Sequence, residues 1–128
     1  MRLLLDTHAL LWWCANDQRL SAEARRVIAL SANEVLVSAA SAWEIATKAR
    51  IGKLAGVERL LSNFDELMEA DRFVRLPITH RHALLAGRFE VEHRDPFDRM
   101  LASQAMLENA TLISNDPALG AFGVATLW

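Results

Sequence analysis

The chain has 128 residues, enough for one ordinary domain whose hydrophobic core needs no disulfides, and we read it as a single domain over 1–128. A formal charge of -2 excludes the overall basic field of a general nucleic-acid binder, so any such contact has to be local. An apolar share of 52%, with Trp12, Trp13 and Trp128 among it, points to an oligomer or partner surface, and the one cysteine, Cys14, rules out an internal disulfide and is expected to be buried and inert.

Leu3 to Leu5 is too brief for a helix core and reads as a buried strand that stops at Asp6, which is placed to cap a helix from Thr7 to Ala15. Leu20, Ala24, Val27 and Ile28 form one face of a helix opened by Ser21, and Val35 to Val37 is a second strand. Ser41-Ala42-Trp43-Glu44 fits a capping box, on a helix that Gly52 ends before a loop at Gly56. Val57, Leu60, Leu61, Phe64, Leu67 and Met68 have the spacing of one longer amphipathic helix, facing either the core or a partner. Phe73 to Ile78, Thr111 to Ser114 and Val124 to Leu127 are three more strands, and Asp95-Pro96 and Asp116-Pro117 each read as an N-cap followed by proline at the first helical position. Strands alternating with helices predict an α/β fold with a parallel sheet covered on both faces. The leucine run before Asp6 is far short of a secretory signal and no apolar stretch approaches a membrane span, so the expected compartment is the cytoplasm.

Four acids stand at the ends of these runs: Asp6, Glu44, Asp98 and Asp116. In a parallel sheet the residues past the carboxyl ends of the strands share a crevice. Two negative charges about 4 Å apart repel by roughly 4 kcal/mol at a near-surface dielectric, so gathered carboxylates bind cations or take up protons. Each acid also has a structural reading, because helix N-termini favour acids. Capping does not account for an acid directly after the first strand, nor for Asp98 one turn inside a helix already capped by Asp95. Oxygen-only ligands suit Mg²⁺ or Mn²⁺. Zinc spacing is absent: His80 and His82 point to different helix faces, and His8 and His93 read as isolated.

Leu3-Leu4-Leu5-Asp6-Thr7-His8-Ala9-Leu10-Leu11-Trp12, Ser41 to Ala46, Lys48 to Leu54, Asp95 to Ala102 and Leu112 to Asp116 follow one another in an order and spacing that resembles the PIN-domain ribonucleases of the VapC toxin type, over nearly the whole chain. The resemblance implies a three-layer α/β/α sandwich around a central parallel sheet of four to five strands, and an Mg²⁺- or Mn²⁺-dependent endoribonuclease. It also implies a homodimeric toxin held inactive by a cognate antitoxin. The family's acidic ligands fall on Asp6, Glu44, Asp98 and Asp116, and its hydroxyl positions on Thr7 and Ser114. Asp95, common in this branch, reads as a cap because Pro96 follows it.

The expected reaction is hydrolysis of an RNA phosphodiester by metal-activated water, leaving 5′-phosphate and 3′-hydroxyl ends. Thr7 and Ser114 serve either a carboxylate or a helix cap. Arg99 contacts phosphate, balances the acids or forms a surface ion pair. Lys48, Arg50 and Lys53 make the best local positive cluster for RNA, with a helix end favoured by the dipole as the plainer account. Two other classes compete: a non-catalytic RNA- or protein-binding module, whose mark would be lost acids, and another metal-dependent phosphate hydrolase, which Asp6-Thr7-His8 disfavours because it lacks a second aspartate.

Overall fold

A computed structural model describes residues 1–128. Strand β1 (Arg2–Leu5) leads into α1 (Thr7–Cys14) and α2 (Ala22–Ala29), then β2 (Glu34–Ser38), α3 (Ala39–Arg50), α4 (Glu58–Ser62), α5 (Phe64–Ala70) and β3 (Val74–Leu76). Helices α6 (His80–Arg88) and α7 (Pro96–Leu107), β4 (Thr111–Ile113), a 3₁₀ helix (Pro117–Phe122) and β5 (Thr126–Leu127) complete the chain.

The five strands form one sheet in the order β3-β2-β1-β4-β5, every pair parallel. Alternation along β1 explains the two covering layers. Leu3 and Leu5 join a core with Leu10, Leu20, Val27, Ile28, Ile45 and Met68, whereas Leu4 faces a second core with Leu36, Leu101, Leu112, Leu119 and Phe122. All three leucines are fully buried, each worth roughly 1.5–3 kcal/mol of transfer free energy. The result is the expected α/β/α sandwich with β1 at its centre.

Local chemistry revises several boundaries. Helix α3 is capped by Ser38, which accepts from the Ala40 N–H at 2.9 Å, so Ser41 lies inside the helix and forms no capping box. The 57–68 segment is two helices, broken at Asn63. Asn63 leaves the helical conformation (φ -125°, ψ 32°), with its backbone N–H at 3.0 Å and its side chain at 3.2 Å both donating to the Arg59 carbonyl. Gly52 follows α3 with φ +77°, a left-handed stop at the predicted place. Cys14 is exposed at the end of α1 rather than buried. Trp12 and Trp13 both stay half-buried: Trp13 packs on Phe73 and donates to Asp71, while Trp12 meets Trp128 and carries Arg19 over its ring. No helix is long and apolar enough to cross a membrane.

Candidate metal centre

The order β3-β2-β1-β4-β5 makes the chain reverse its direction of travel across the sheet at β1, and the crevice opens at the carboxyl ends of β1 and its neighbours. Leu5 pairs with Val37 on one side and Ile113 on the other, so Asp6 and Ser114, the first residues beyond β1 and β4, stand level with Ser38, the last residue of β2. Asp6 is 6% exposed and caps α1, its Oδ1 accepting from the Ala9 N–H at 2.7 Å. Burial pushes its carboxyl above the usual aspartate range, against the lowering effect of the Ser114 hydroxyl and the Ala9 amide; the charge of Glu44 adds to the rise.

Glu44, buried on the second turn of α3, is held through both oxygens. Thr7 Oγ1 lies 2.6 Å from Glu44 Oε1 and 3.1 Å from Ser41 Oγ, and since a carboxylate only accepts, the Thr7 proton goes to Glu44. Glu44 Oε2 receives the Lys48 ammonium. That contact holds the Lys48 pKa above its ordinary value.

Asp98 comes from the other end of the chain. It sits one turn inside α7, whose cap is Asp95: one Asp95 oxygen accepts from the Phe97 N–H at 2.9 Å and the Asp98 N–H at 3.2 Å. Asp98 Oδ2 lies 2.8 Å from His93 Nε2. Its carboxyl is raised, first by burial and then by the charges of Asp95 and Glu44, with His93 opposing. Glu44 thus acts on both Asp6 and Asp98, and helices α3 and α7 meet where Trp43 packs edge-on to Phe97 at 4.9 Å.

The family model for the PIN domain matches residues 3–124. The chain belongs to the PIN-domain family. It is 31% identical over 119 residues to Ribonuclease VapC22 of Mycobacterium tuberculosis, covering 91% of this chain and 88% of that one. Among solved structures, VapBC2 from Rickettsia felis bound to a promoter DNA fragment superposes with a TM-score of 0.72 at 18% identity, over 99% of this chain and 98% of the other. VapBC-1 from nontypeable Haemophilus influenzae gives 0.72 at 19%, over 99% and 97%.

In this PIN domain the remaining acid, Asp116, lies two residues past Ser114 and is occupied as a cap: its Oδ1 accepts from the Ala118 N–H at 2.9 Å and its own N–H donates to Ser114 Oγ at 3.1 Å. Arg99 does not face the acids. Its guanidinium reaches the segment between α6 and α7 and donates to the backbone carbonyls of Ala86, Phe89, Val91 and His93, which corrects both the phosphate-contact and the surface-ion-pair readings. Lys48 is separated in role from Arg50 and Lys53, which are exposed with no carboxylate partner. His93, expected to stand alone, is a neighbour of Asp98. Only its place five residues before Asp98, across the Asp95-Pro96 turn, hinted at this in the sequence.

Asp6, Glu44, Asp98 and the hydroxyls of Thr7 and Ser114 offer oxygen donors only; Asp6 and Glu44 are buried, Asp98 is partly so, and the charge of Glu44 adds to the raised pKa of both aspartates. That donor set fits a hard divalent ion. No three His, Cys, Asp or Glu side chains converge into a finished cage. The donors fit an ion that keeps part of its water shell, as Mg²⁺ does.

Proposed function

We propose that this PIN domain is an Mg²⁺- or Mn²⁺-dependent endoribonuclease and the toxin of a toxin-antitoxin pair. The observation that carries the reading is the placement of three carboxyl groups at one crevice: buried Asp6 at the end of β1, buried Glu44 bonded to the next residue, Thr7, and Asp98 on α7 where that helix packs against α3. Asp6, Glu44 and Asp98, with Asp116 at the rim, would hold one or two ions. A bound divalent ion supplies an acidified water and charge that stabilises the phosphate oxygens. The protein's own part is placement. The Ala9 N–H holds one Asp6 oxygen and Thr7 fixes one Glu44 oxygen, leaving exposed Arg50 and Lys53 to meet the RNA backbone.

The name of the VapC22 relative and the toxin-antitoxin complexes among the structural neighbours support the ribonuclease and antitoxin parts of this reading. A groove of about 620 Å³ between the end of α1 and α4–α5, walled by Leu11, Trp13, Val57, Leu60 and Leu67, gives an antitoxin segment an apolar seat. Exposed Trp43, Ile78 and Leu84 support a homodimer, which light scattering tests. The free cysteine suits a reducing cytoplasm.

The test is cleavage of a panel of structured RNAs by antitoxin-free protein with Mg²⁺, Mn²⁺ or EDTA, beside Asp6→Asn and Asp98→Asn. Metal-dependent cuts with 5′-phosphate ends, lost in both variants, are expected. Cuts that persist in EDTA, or 2′,3′-cyclic phosphate ends, would sink the mechanism.

A further inference from the structure

Arg99 and Asp98 are neighbours in sequence on α7, and their side chains leave the helix in different directions. Asp98 enters the acidic crevice; Arg99 reaches over the segment that joins α6 to α7. Its Nε donates to the Ala86 carbonyl at 2.9 Å, Nη1 to Val91 and His93 at 2.9 Å each, and Nη2 to Phe89 at 2.6 Å, with the Gly87 carbonyl at 3.5 Å. Residues 90–94 have no regular structure and no backbone–backbone hydrogen bond outside the helices. The guanidinium therefore satisfies carbonyls at the open end of α6 and three carbonyls, of Phe89, Val91 and His93, in a loop that cannot satisfy them itself. Phe89 and His93 add edge-on packing against Phe122, at 4.9 and 5.6 Å.

This loop ends in His93, whose Nε2 lies 2.8 Å from Asp98 Oδ2. Asp98 Oδ1 has no hydrogen-bond partner in the protein. A carboxylate among Asp95 and Glu44 is repelled by both and gains by rotating toward water, so something must hold it inward. His93 does so through one oxygen and leaves the other for a ligand.

We propose that Arg99 and His93 are positioning residues for Asp98: the guanidinium ties the 89–93 loop to the last turn of α6 through their carbonyls, and the loop sets the imidazole against the carboxylate. Arginine is required because its planar fork presents five donors to separate acceptors, which a lysine ammonium on one atom does not. Outer partners of this kind typically change metal affinity by about 10- to 100-fold when removed. The inference rests on Asp98 being a metal ligand, as proposed above.

The experiment measures Mn²⁺ affinity by calorimetry and amide hydrogen exchange over 88–94 for the full chain and for R99K, H93A, H93Q, D98N and the R99K/H93A double variant. Expected are faster exchange in the loop and about tenfold weaker Mn²⁺ binding in R99K. H93A should weaken binding as much with little change in exchange, and H93Q, whose amide still donates, should restore most of it. The double variant should bind no more weakly than the worse single one. Unchanged Mn²⁺ affinity in R99K despite an opened loop would overturn the proposal, as would effects of R99K and H93A that multiply. If R99K does not fold, H93A against H93Q decides alone: equal affinity in the two overturns it. Wild-type protein that binds no Mn²⁺, or binding that survives D98N, removes the metal reading itself and this inference with it.

Discussion

The Lys48 ammonium rests on Glu44 Oε2, one helical turn earlier along α3. It brings the positive charge that a buried carboxylate near Asp6 and Asp98 needs when no metal is bound. Because Lys48 is 38% exposed, the pair is worth only about 1 kcal/mol to the fold after solvent screening. Lys48→Met should therefore lower metal-free stability by about that amount and tighten Mn²⁺ binding severalfold, since the ion no longer competes with an ammonium. Thermal melts in EDTA and titration calorimetry give both numbers. Weaker Mn²⁺ binding in the variant would show that Lys48 assists the ion instead.

Asp6 is a cost to the metal-free fold. Its folded pKa lies above the unfolded value, so its stabilising contribution is present at pH values below the unfolded pKa and is lost as pH rises through the folded one. Asparagine caps a helix as well as aspartate and carries no charge. Asp6→Asn should melt in EDTA at the wild-type temperature or up to roughly 4 °C above it at pH 7, with the gap closing as pH falls through the Asp6 titration. The variant should gain no further stability from Mg²⁺. An Asp6→Asn melting temperature well below wild type in EDTA would contradict the account of burial.

Thr7 donates the one short hydrogen bond on Glu44 Oε1, at 2.6 Å in a buried setting. Thr7→Val keeps the shape and removes the donor, at a cost of about 1.5–3 kcal/mol for a bond to a charged acceptor. Thr7→Ser should recover most of it. Urea unfolding of the three proteins checks the order; equal midpoints for Val and Ser would mean that the methyl, not the hydroxyl, matters.

Cys14 is exposed at the end of α1, yet its thiol is expected to react slowly. Desolvation of its sulfur, helped by the charge of Asp71, pushes the thiol up to about 11. At pH 8 the thiolate fraction is then roughly 100-fold below that of an ordinary cysteine, and alkylation by iodoacetamide should slow in proportion relative to the urea-unfolded chain. Equal rates in the folded and unfolded protein would show an unperturbed thiol.

Much of the architecture was legible because burial on both faces leaves a plain mark. Leu3 to Leu5 and Val35 to Val37 are apolar at every position, as strands covered on both sides must be. The caps at Asp6, Ser21, Asp95 and Asp116 were legible for a similar reason, since each puts a small acceptor just before a helix. Ser38 escaped notice because β2 passes into α3 with no loop between them, and the cap is also the last residue of the strand. The Asn63 break was hidden by an apolar spacing that continues across it. At the site, acids at strand ends could be picked out one by one, and the pairing of Lys48 with Glu44 follows a four-residue step on one helix. The partners of Arg99 had no such signal, for backbone carbonyls are the same at every residue.

The central strand has a consequence in time. One of the two neighbours of β1, β4, lies more than one hundred residues later in the chain, with Leu3 paired to Thr111 and Leu5 to Ile113. Asp6 takes its backbone hydrogen bond from that late strand as well, donating its N–H to the Ile113 carbonyl at 3.1 Å. Closing so long a loop is the slow kind of folding event, and it cannot precede synthesis of β4. A nascent chain that stops short of residue 111 has Asp6 and Glu44 but not the strand that holds the Asp6 backbone, so the acidic crevice is completed only after β4 has been made.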